Sequence, residues 1–319
     1  MERDPEELQY LNLREILKES ISIPKSSPRT FTNITLLLVF PLSFAILAHS
    51  LLTHPLVQKI NHSSSTANHD SLLLLLYQLL YLLFLFAFSL LSTAAVVFTV
   101  ASLYTSKPTS FSSTLSAIPR ILHRLFITYL WISLLMLSYN FLFIAIIFSF
   151  VAAFPPDDSN GPLVVLTFLS LFVLFIAAHV YITALWHIAS VISVLEPVYG
   201  LAAMQKSREL LRGKTRDAAT LVLIYLLLCA AIGTVFSVVV VHGAKDYGLV
   251  VRVLVGGVCV GLLVVVNMIG LLVQSIFYYI CKSHHHQGID KSALYEQLGG
   301  YLGEYVPLKS SIQMESLES

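Results

Sequence analysis

Six long apolar stretches limit what this chain can fold into. They occupy approximately residues 31–52, 71–105, 122–154, 162–195, 218–241 and 249–281. About 20 apolar residues allow an α-helix to cross a hydrocarbon core of about 30 Å, so each stretch can span a bilayer. The chain is 56% hydrophobic and 12% charged, whereas globular domains are about 25% charged. We therefore expect an all-α integral membrane bundle of six transmembrane helices with cytosolic interfacial helices.

The apolar stretches divide the chain into three regions. These are a cytosolic N-terminal segment (1–30), a six-span membrane domain (31–281) and a cytosolic C-terminal tail (282–319). The first region is predicted to hold an amphipathic helix over residues 5–21, capped by Asp4 and lying on the membrane surface. A solvated tail that frays is the alternative. A second short helix is predicted over residues 290–298 of the tail.

The first apolar stretch is expected to remain in the protein as a signal anchor. It begins near Phe31, after a charged segment, which is too far from the N-terminus for a cleavable signal peptide. Pro41 lies near its centre. Because proline removes a backbone hydrogen bond and its ring clashes with the preceding turn, we expect a kink there.

The positions of the basic residues predict the orientation of the chain. With six spans, both termini fall on one side, and so do all 19 Lys and Arg residues except Lys59, Lys245 and Arg252. Cytoplasmic loops carry an excess of Lys and Arg, so this side is predicted to be cytosolic. The organelle stays open between the endomembrane system, including the ER and Golgi, and the plasma membrane.

The break between the fourth and fifth stretches, residues 196–217, is the longest cation-rich segment inside the apolar part of the chain. We expect a short interfacial helix in it, ending near Gly213, whose cations contact anionic lipid headgroups. The candidate contacts are Lys206, Arg208, Arg212, Lys214 and Arg216. A plain positive-inside loop with an incidental helix is the alternative.

Polar residues recur at helical spacing within three of the spans. They are Tyr129, Ser133 and Asn140 in span 3, His179, Thr183 and His187 in span 4, and Asn267 and Gln274 in span 6. Residues three, four or seven apart share one helix face, so each set can line a polar cavity for a lipid headgroup or a small solute. Hydrogen bonds that only pack the helices together are the alternative.

The carboxylates argue against an enzyme. All 18 Asp and Glu residues lie in loops, tails or, for Glu196, at a membrane boundary, whereas membrane-embedded chemistry needs ionisable groups at depth. No metalloprotease, nucleophile-elbow, P-loop or dinucleotide motif is present. Glu196 with His123 is the one weak catalytic pair. We therefore predict no catalytic residue, no enzyme activity and no cofactor.

Metal and nucleic-acid binding are also not expected. His284, His285 and His286 are consecutive, and neighbouring helical side chains point too far apart to share one metal ion. A solvated juxtamembrane run is the simpler interpretation. The net charge of +1 gives no general attraction for nucleic acid.

Two positions are candidates for modification. Asn61 begins an Asn-His-Ser sequon in a polar loop predicted over residues 53–70, which can be glycosylated if the loop is lumenal. The Asn33 sequon is discounted because it adjoins the membrane on the predicted cytosolic side. Cys281 is juxtamembrane and a candidate for palmitoylation, with an unmodified thiol as the alternative.

Two family resemblances are visible. Glu196-Pro197, Gly200-Leu201-Ala202-Ala203, Ser207, Leu210-Leu211 and Gly213 resemble about 20 residues of the membrane domain of bacterial glycerophosphodiester phosphodiesterases. The catalytic domain of those enzymes has no counterpart here, so their activity is not implied.

The second resemblance spans nearly the whole chain. PEELQYLNLREILKES, FTNITLLLVFPLSFAILAH and YYICKSHHHQGIDKSALYEQLGGYLGEYVPLKSSIQME are similar to a plant family of uncharacterised multipass proteins. Some of its members are named for binding the poly(A)-binding protein. The resemblance implies a multipass topology and assigns no catalytic residues.

Two functions remain after these arguments. The first hypothesis is a non-enzymatic scaffold or adaptor that contacts lipids and protein partners through its cytosolic helices and tail. The alternative is a lipid or small-solute carrier that uses the polar faces of spans 3, 4 and 6. A continuous cavity at membrane depth favours the carrier, whereas tight packing of those faces favours the scaffold.

Overall fold

Helices account for the regular structure of this chain. The computed structural model describes residues 12–62, 67–105, 110–153, 161–243 and 246–286, with residues 294, 298 and 299, and these contain no strand. The α-helices are α1 (Leu13–Ser26), α2 (Pro28–Ile34), α3 (Phe40–His62), α4 (Ala67–Tyr104), α5 (Phe111–Ala153), α6 (Gly161–Leu195), α7 (Leu201–Leu210), α8 (Thr215–Phe236) and α9 (Leu249–His284).

Six helical segments are long and apolar enough to cross a membrane, which confirms the predicted fold class. They are Pro28–Pro55, Ser71–Tyr104, Phe111–Ala152, Val164–Leu195, Thr215–Val241 and Leu249–His284. A helix satisfies its backbone hydrogen bonds internally, as the water-free core of a bilayer requires. The short helices α1 and α7 lie outside these six segments.

Two of the predicted connections are partly helical. Helix α5 begins at Phe111 rather than near residue 122, and it continues through Pro119. Helix α3 ends at His62 and α4 begins at Ala67, so the predicted 53–70 loop is mostly helix. Apolar content marks only the lipid-soluble part of a helix, and the polar turns at its ends give no such signal.

The N-terminal helix is packed against the bundle. The backbone N–H of Asn12 donates to Glu15 Oε2 at 2.9 Å at its start, and the predicted start near Pro5 lies outside the described residues. Ile16 and Ile23 are buried, and α1 contacts α9. Helix α1 therefore covers part of the bundle with one face.

The irregularity expected at Pro41 is a π-helical turn. It spans Thr35–Val39, and the backbone N–H of Phe40 donates to the carbonyl oxygen of Thr35, five residues earlier. Because proline cannot donate and its ring crowds the preceding turn, widening that turn lets the helix continue. A second π-helical turn, Ser237–Val241, ends the segment that begins with α8.

Helix α9 is the centre of the bundle. It contacts α1, α3, α4, α6, α7 and α8. Its second half is the most buried part, because nearly every residue from Leu272 to Cys281 is enclosed. The fully buried Leu298 belongs to the same apolar core, so part of the C-terminal tail also folds onto the bundle.

A glycine turn joins α6 to α7. Gly200 has φ +65°, a conformation that residues with a Cβ atom rarely adopt. Its N–H donates to Thr128 Oγ1 at 2.7 Å, and a Cβ atom added to it would lie 3.4 Å from both Ile127 and Trp131. The turn therefore fixes α7 against α5.

Replacing Gly200 with alanine should destabilise the protein. We expect a loss of about 1–3 kcal/mol, the cost of holding a non-glycine residue in a strained conformation. Thermal unfolding in detergent measures it. Gly257→Ala is the matched control, because Gly257 is a helical position in α9 with open space around it. Equal effects of both substitutions would contradict this role for Gly200.

Candidate functional site

A pocket opens between α6, α8 and α9 within the membrane-spanning part of the bundle. It encloses about 110 Å³ and is partly open to the outside. Its lining is Leu17, Ala184, His187, Ile188, Ala218, Leu221, Val222, Ile224, Tyr225, Leu228, Val266, Ile269, Gly270, Val273, Gln274 and Phe277. Ligand pockets in proteins are mostly apolar with a few polar groups, and the lining of this one has the same character.

The polar side chains of the lining lie at similar heights in the bundle. His187 is eight residues before the end of α6, Tyr225 ten residues after the start of α8, and Gln274 ten residues before the end of α9. With a rise of about 1.5 Å per residue, each lies about 12–15 Å from the end of its helix on the same side of the bundle. The rings of His187 and Tyr225 meet edge to face at 6.1 Å.

Gln274 is the most informative residue of the pocket. Only 6% of it is exposed, and its Nε2 has no hydrogen-bond partner within the described part of the chain. Leaving a buried polar group unpaired costs about 1–3 kcal/mol. The imidazole of His187 belongs to the same lining. The pocket therefore holds unused hydrogen-bonding capacity inside an apolar wall.

The third polar group of the pocket is already satisfied. The Tyr225 hydroxyl donates to Asn267 Oδ1 at 2.9 Å, and Asn267 Nδ2 donates to Ser43 Oγ at 2.8 Å. Ser43 in turn donates to the carbonyl oxygen of Val39 at 2.8 Å, at the end of the first π-helical turn. This chain of hydrogen bonds ties α8 and α9 to the first span.

An ion cluster closes the bundle at the end nearest the pocket. The Glu196 carboxylate follows α6 and is 8% exposed. It accepts a hydrogen bond from Tyr278 at 2.5 Å, pairs with Lys206 of α7, and lies 3.3 Å from Lys282 Nζ. Burial alone would raise the pKa of Glu196, but the hydrogen bonds from Lys206 and Tyr278 and the charge of Lys282 lower it below its ordinary value.

Two further contacts fix α7 beside this cluster. Ser207 Oγ donates to the carbonyl oxygen of Leu185 at 2.9 Å, and His285 Nε2 lies 3.1 Å from the carbonyl oxygen of Leu210. Helix α7 is thus held by α6 on one side and by the end of α9 on the other. His285, expected to be solvated, instead contacts the backbone.

The predicted polar faces divide into pocket and packing residues. His187 and Gln274 line the pocket, and Asn267 supports it through Tyr225. The span 3 residues do not contribute: Tyr129 pairs with Thr93 at 2.7 Å, Asn140 donates to the carbonyl oxygen of Met136 in its own helix, and Ser133 is half-buried outside the lining.

The remaining span 4 residues also lie outside the lining. Thr183 donates to the carbonyl oxygen of His179 at 2.8 Å, and His179 packs against Phe175. The pocket therefore uses spans 4, 5 and 6 rather than 3, 4 and 6. Tyr225 was missed because it is a single aromatic residue in an apolar run, and its neighbour at helical spacing, Cys229, resembles a small apolar residue in sequence.

The five cations predicted to contact lipid headgroups differ in whether a carboxylate already pairs with them. Lys206 is engaged by Glu196, and Lys214 lies 3.5 Å from Asp217. Arg208, Arg212 and Arg216 are exposed and can meet lipid headgroups.

The modification candidates and the weak catalytic pair are placed as follows. Cys281 is fully buried, so its thiol is inaccessible to an acylating enzyme in this conformation, which argues against the palmitoylation hypothesis. Asn61 belongs to the last turn of α3, and its side chain is not among those that the structure describes. His123 faces Tyr199 at 6.4 Å, while Glu196 is occupied by its lysines.

The class that the geometry defines is a six-helix membrane bundle with a pocket between its last three spans. The chain belongs to the family of the domain of unknown function DUF8558, whose sequence profile matches residues 1–317. No curated protein and no solved structure matches the chain. The family covers the whole bundle and brings no activity with it, so the resemblances to plant multipass proteins and to phosphodiesterase membrane domains stay predictions.

Removing the charge of Glu196 should destabilise the bundle. Glu196→Gln leaves two lysines without their counter-charge, and we expect a loss of about 3 kcal/mol, the lower end for a broken buried pair because the lysines are partly exposed. Thermal or denaturant unfolding measures it. Asp217→Asn breaks the partly exposed pair with Lys214, whose carboxylate is more exposed than that of Glu196, and should cost under about 1 kcal/mol.

The effect should depend on pH with a defined sign. Because folding lowers the pKa of Glu196, its stabilisation is present above the ordinary value of 4.5 and is lost as the pH falls through the lower native value. The difference between wild type and Glu196→Gln should therefore shrink below about pH 4.5. A difference that grows on acidification would contradict this assignment.

Proposed function

We propose that this protein binds a lipid, or a similar amphiphile, in the pocket between α6, α8 and α9. This is a narrower form of the carrier hypothesis, moved from spans 3, 4 and 6 to spans 4, 5 and 6. The proposed role is non-enzymatic: the pocket provides an apolar wall and a few hydrogen-bonding groups, and we assign no catalytic residue or cofactor to it.

The unpartnered carboxamide of Gln274 carries this proposal. Nearby polar groups at similar depth, those of Tyr225, Asn267 and Ser43, all form hydrogen bonds. Among the described residues, Ser92, Ser102, Tyr104, His179 and Tyr279 also have a buried side-chain atom without a partner, but none of them lines the pocket. The open amide of Gln274, beside His187 in an apolar pocket, supports a ligand that supplies the missing partner.

The scaffold hypothesis has weaker support. Two of its proposed contact elements, α1 and α7, each bury one face in the bundle, so only their outer faces can reach a partner. The C-terminal tail, through which the scaffold would also contact partners, lies largely outside the described residues. Its buried Leu298 is used internally.

We also propose the orientation and the surface contacts. The Glu196 end of the bundle is cytosolic, with both termini, and the protein resides in the endomembrane system or the plasma membrane. The excess of basic residues on that side supports this. Arg208, Arg212 and Arg216 would meet anionic headgroups there, at about 1 kcal/mol each.

Filling the pocket should remove its ligand. Val273→Trp places a large side chain in the lining, so lipid that co-purifies with the wild type should fall several-fold, as measured by mass spectrometry of extracts from the purified protein. Val265→Trp is the matched control, because Val265 is on the same helix, 54% exposed and outside the lining. Equal retention by the two variants and the wild type would refute binding in this pocket.

The orientation has its own test. Epitope tags at the two termini should both be accessible to antibody after selective permeabilisation of the plasma membrane and protected in intact cells. Tags that report from opposite sides would contradict the six-span arrangement.

A further inference from the structure

We infer that the ligand of the pocket is an uncharged lipid whose polar head is a hydroxyl group, a chemistry shared by sterols and diacylglycerols. This inference rests on the proposed function and names the class of molecule that the pocket selects. Three properties of the lining support it: its charge, its hydrogen-bonding groups and the shape of its apolar wall.

The lining offers no partner for a charged headgroup. None of its 16 residues is Lys, Arg, Asp or Glu. His187 is the one imidazole among them, and no carboxylate lines the pocket to hold it charged. The lysines of the cytosolic end, Lys206 and Lys282, are engaged by Glu196. Burying an unpaired phosphate or carboxylate is very costly, so phospholipids and free fatty acids are disfavoured.

The open hydrogen-bonding groups fit a hydroxyl. The Gln274 amide can donate, and a neutral His187 ring has one nitrogen that donates and one that accepts. A hydroxyl group can both accept and donate, so it can accept from Gln274 and pair with whichever nitrogen of His187 faces the pocket. An ester or ketone oxygen can only accept, so it can pair with His187 only through the donating nitrogen.

The remaining wall suits a rigid apolar body or an acyl chain. Gly270 brings α9 close to α8, because a Cβ atom added there would lie 3.2 Å from the Tyr225 ring. The ring therefore lies directly against the α9 backbone, with Val222, Val266 and Ile269 around it. Leu17 of α1 contributes to the same wall.

Photo-crosslinking of the full-length protein in nanodiscs tests the inference. The probes are an alkyne-bearing photoactivatable sterol, a matching diacylglycerol, their methyl ethers, and a photoactivatable phosphatidylcholine. We expect the two hydroxyl probes to label peptides of α6, α8 and α9 about tenfold more than their methyl ethers or the phospholipid, as one lost hydrogen bond to a buried group predicts. Labelling by only one of the two hydroxyl probes also supports a lipid with a hydroxyl head, and it identifies whether that lipid is a sterol or a diacylglycerol.

Variants assign the effect to the pocket. Gln274→Leu should reduce labelling by the hydroxyl probes to the level of the methyl ethers, and it should fold, because it removes an unsatisfied amide. Gln274→Met serves the same purpose with a different shape. His179→Leu, on α6 but outside the lining, should leave labelling unchanged.

The experiment distinguishes failure of the hydroxyl inference from failure of the proposed function. Equal labelling of pocket peptides by the phospholipid and the hydroxyl probes, unchanged by Gln274→Leu, would overturn the hydroxyl class and leave lipid binding intact. Absence of any probe from the pocket peptides, or labelling that Val273→Trp does not reduce, would overturn the proposed function itself.

Discussion

The buried carboxylate of Glu196 joins segments that are far apart in sequence and would otherwise repel or separate. It follows α6, pairs with Lys206 of α7 and contacts Tyr278 and Lys282 of α9. Because a buried carboxylate is stable only when paired and hydrogen-bonded, the three helix ends must meet at this position. The cluster thus fixes the C-terminal end of α9, the helix that most of the bundle contacts.

Contacts at two depths in the bundle hold the helices that form the pocket. The Glu196 cluster holds α6 and α9 together at one end, and the Tyr225–Asn267–Ser43 chain joins α8, α9 and the first span deeper in the bundle. Between these levels the lining includes the small residues Ala184 and Ala218. His187 and Gln274 line the space between them, and the unpartnered Nε2 of Gln274 supports the proposal that a ligand binds there.

The sequence predicted the spans because the length of an apolar stretch determines whether its helix can cross a bilayer. The helical spacing of polar residues identified His187 and Gln274. The sequence could not show that span 5 completes the pocket, since the neighbour of Tyr225 on its face is Cys229, which behaves as a small apolar residue in a sequence pattern. Nor could it show which cations are free: the pairing of Lys206 with Glu196 depends on the turn at Gly200. The burial of Cys281 likewise results from tertiary packing that a juxtamembrane position does not reveal.

An experimental density map of the protein in nanodiscs of native membrane lipids tests the central claim most directly. The account predicts elongated density between α6, α8 and α9, with its polar end at His187 and Gln274 and no phosphate-sized feature there. A map in which these helices close the space, or in which Gln274 bonds to another side chain of the protein, would contradict it.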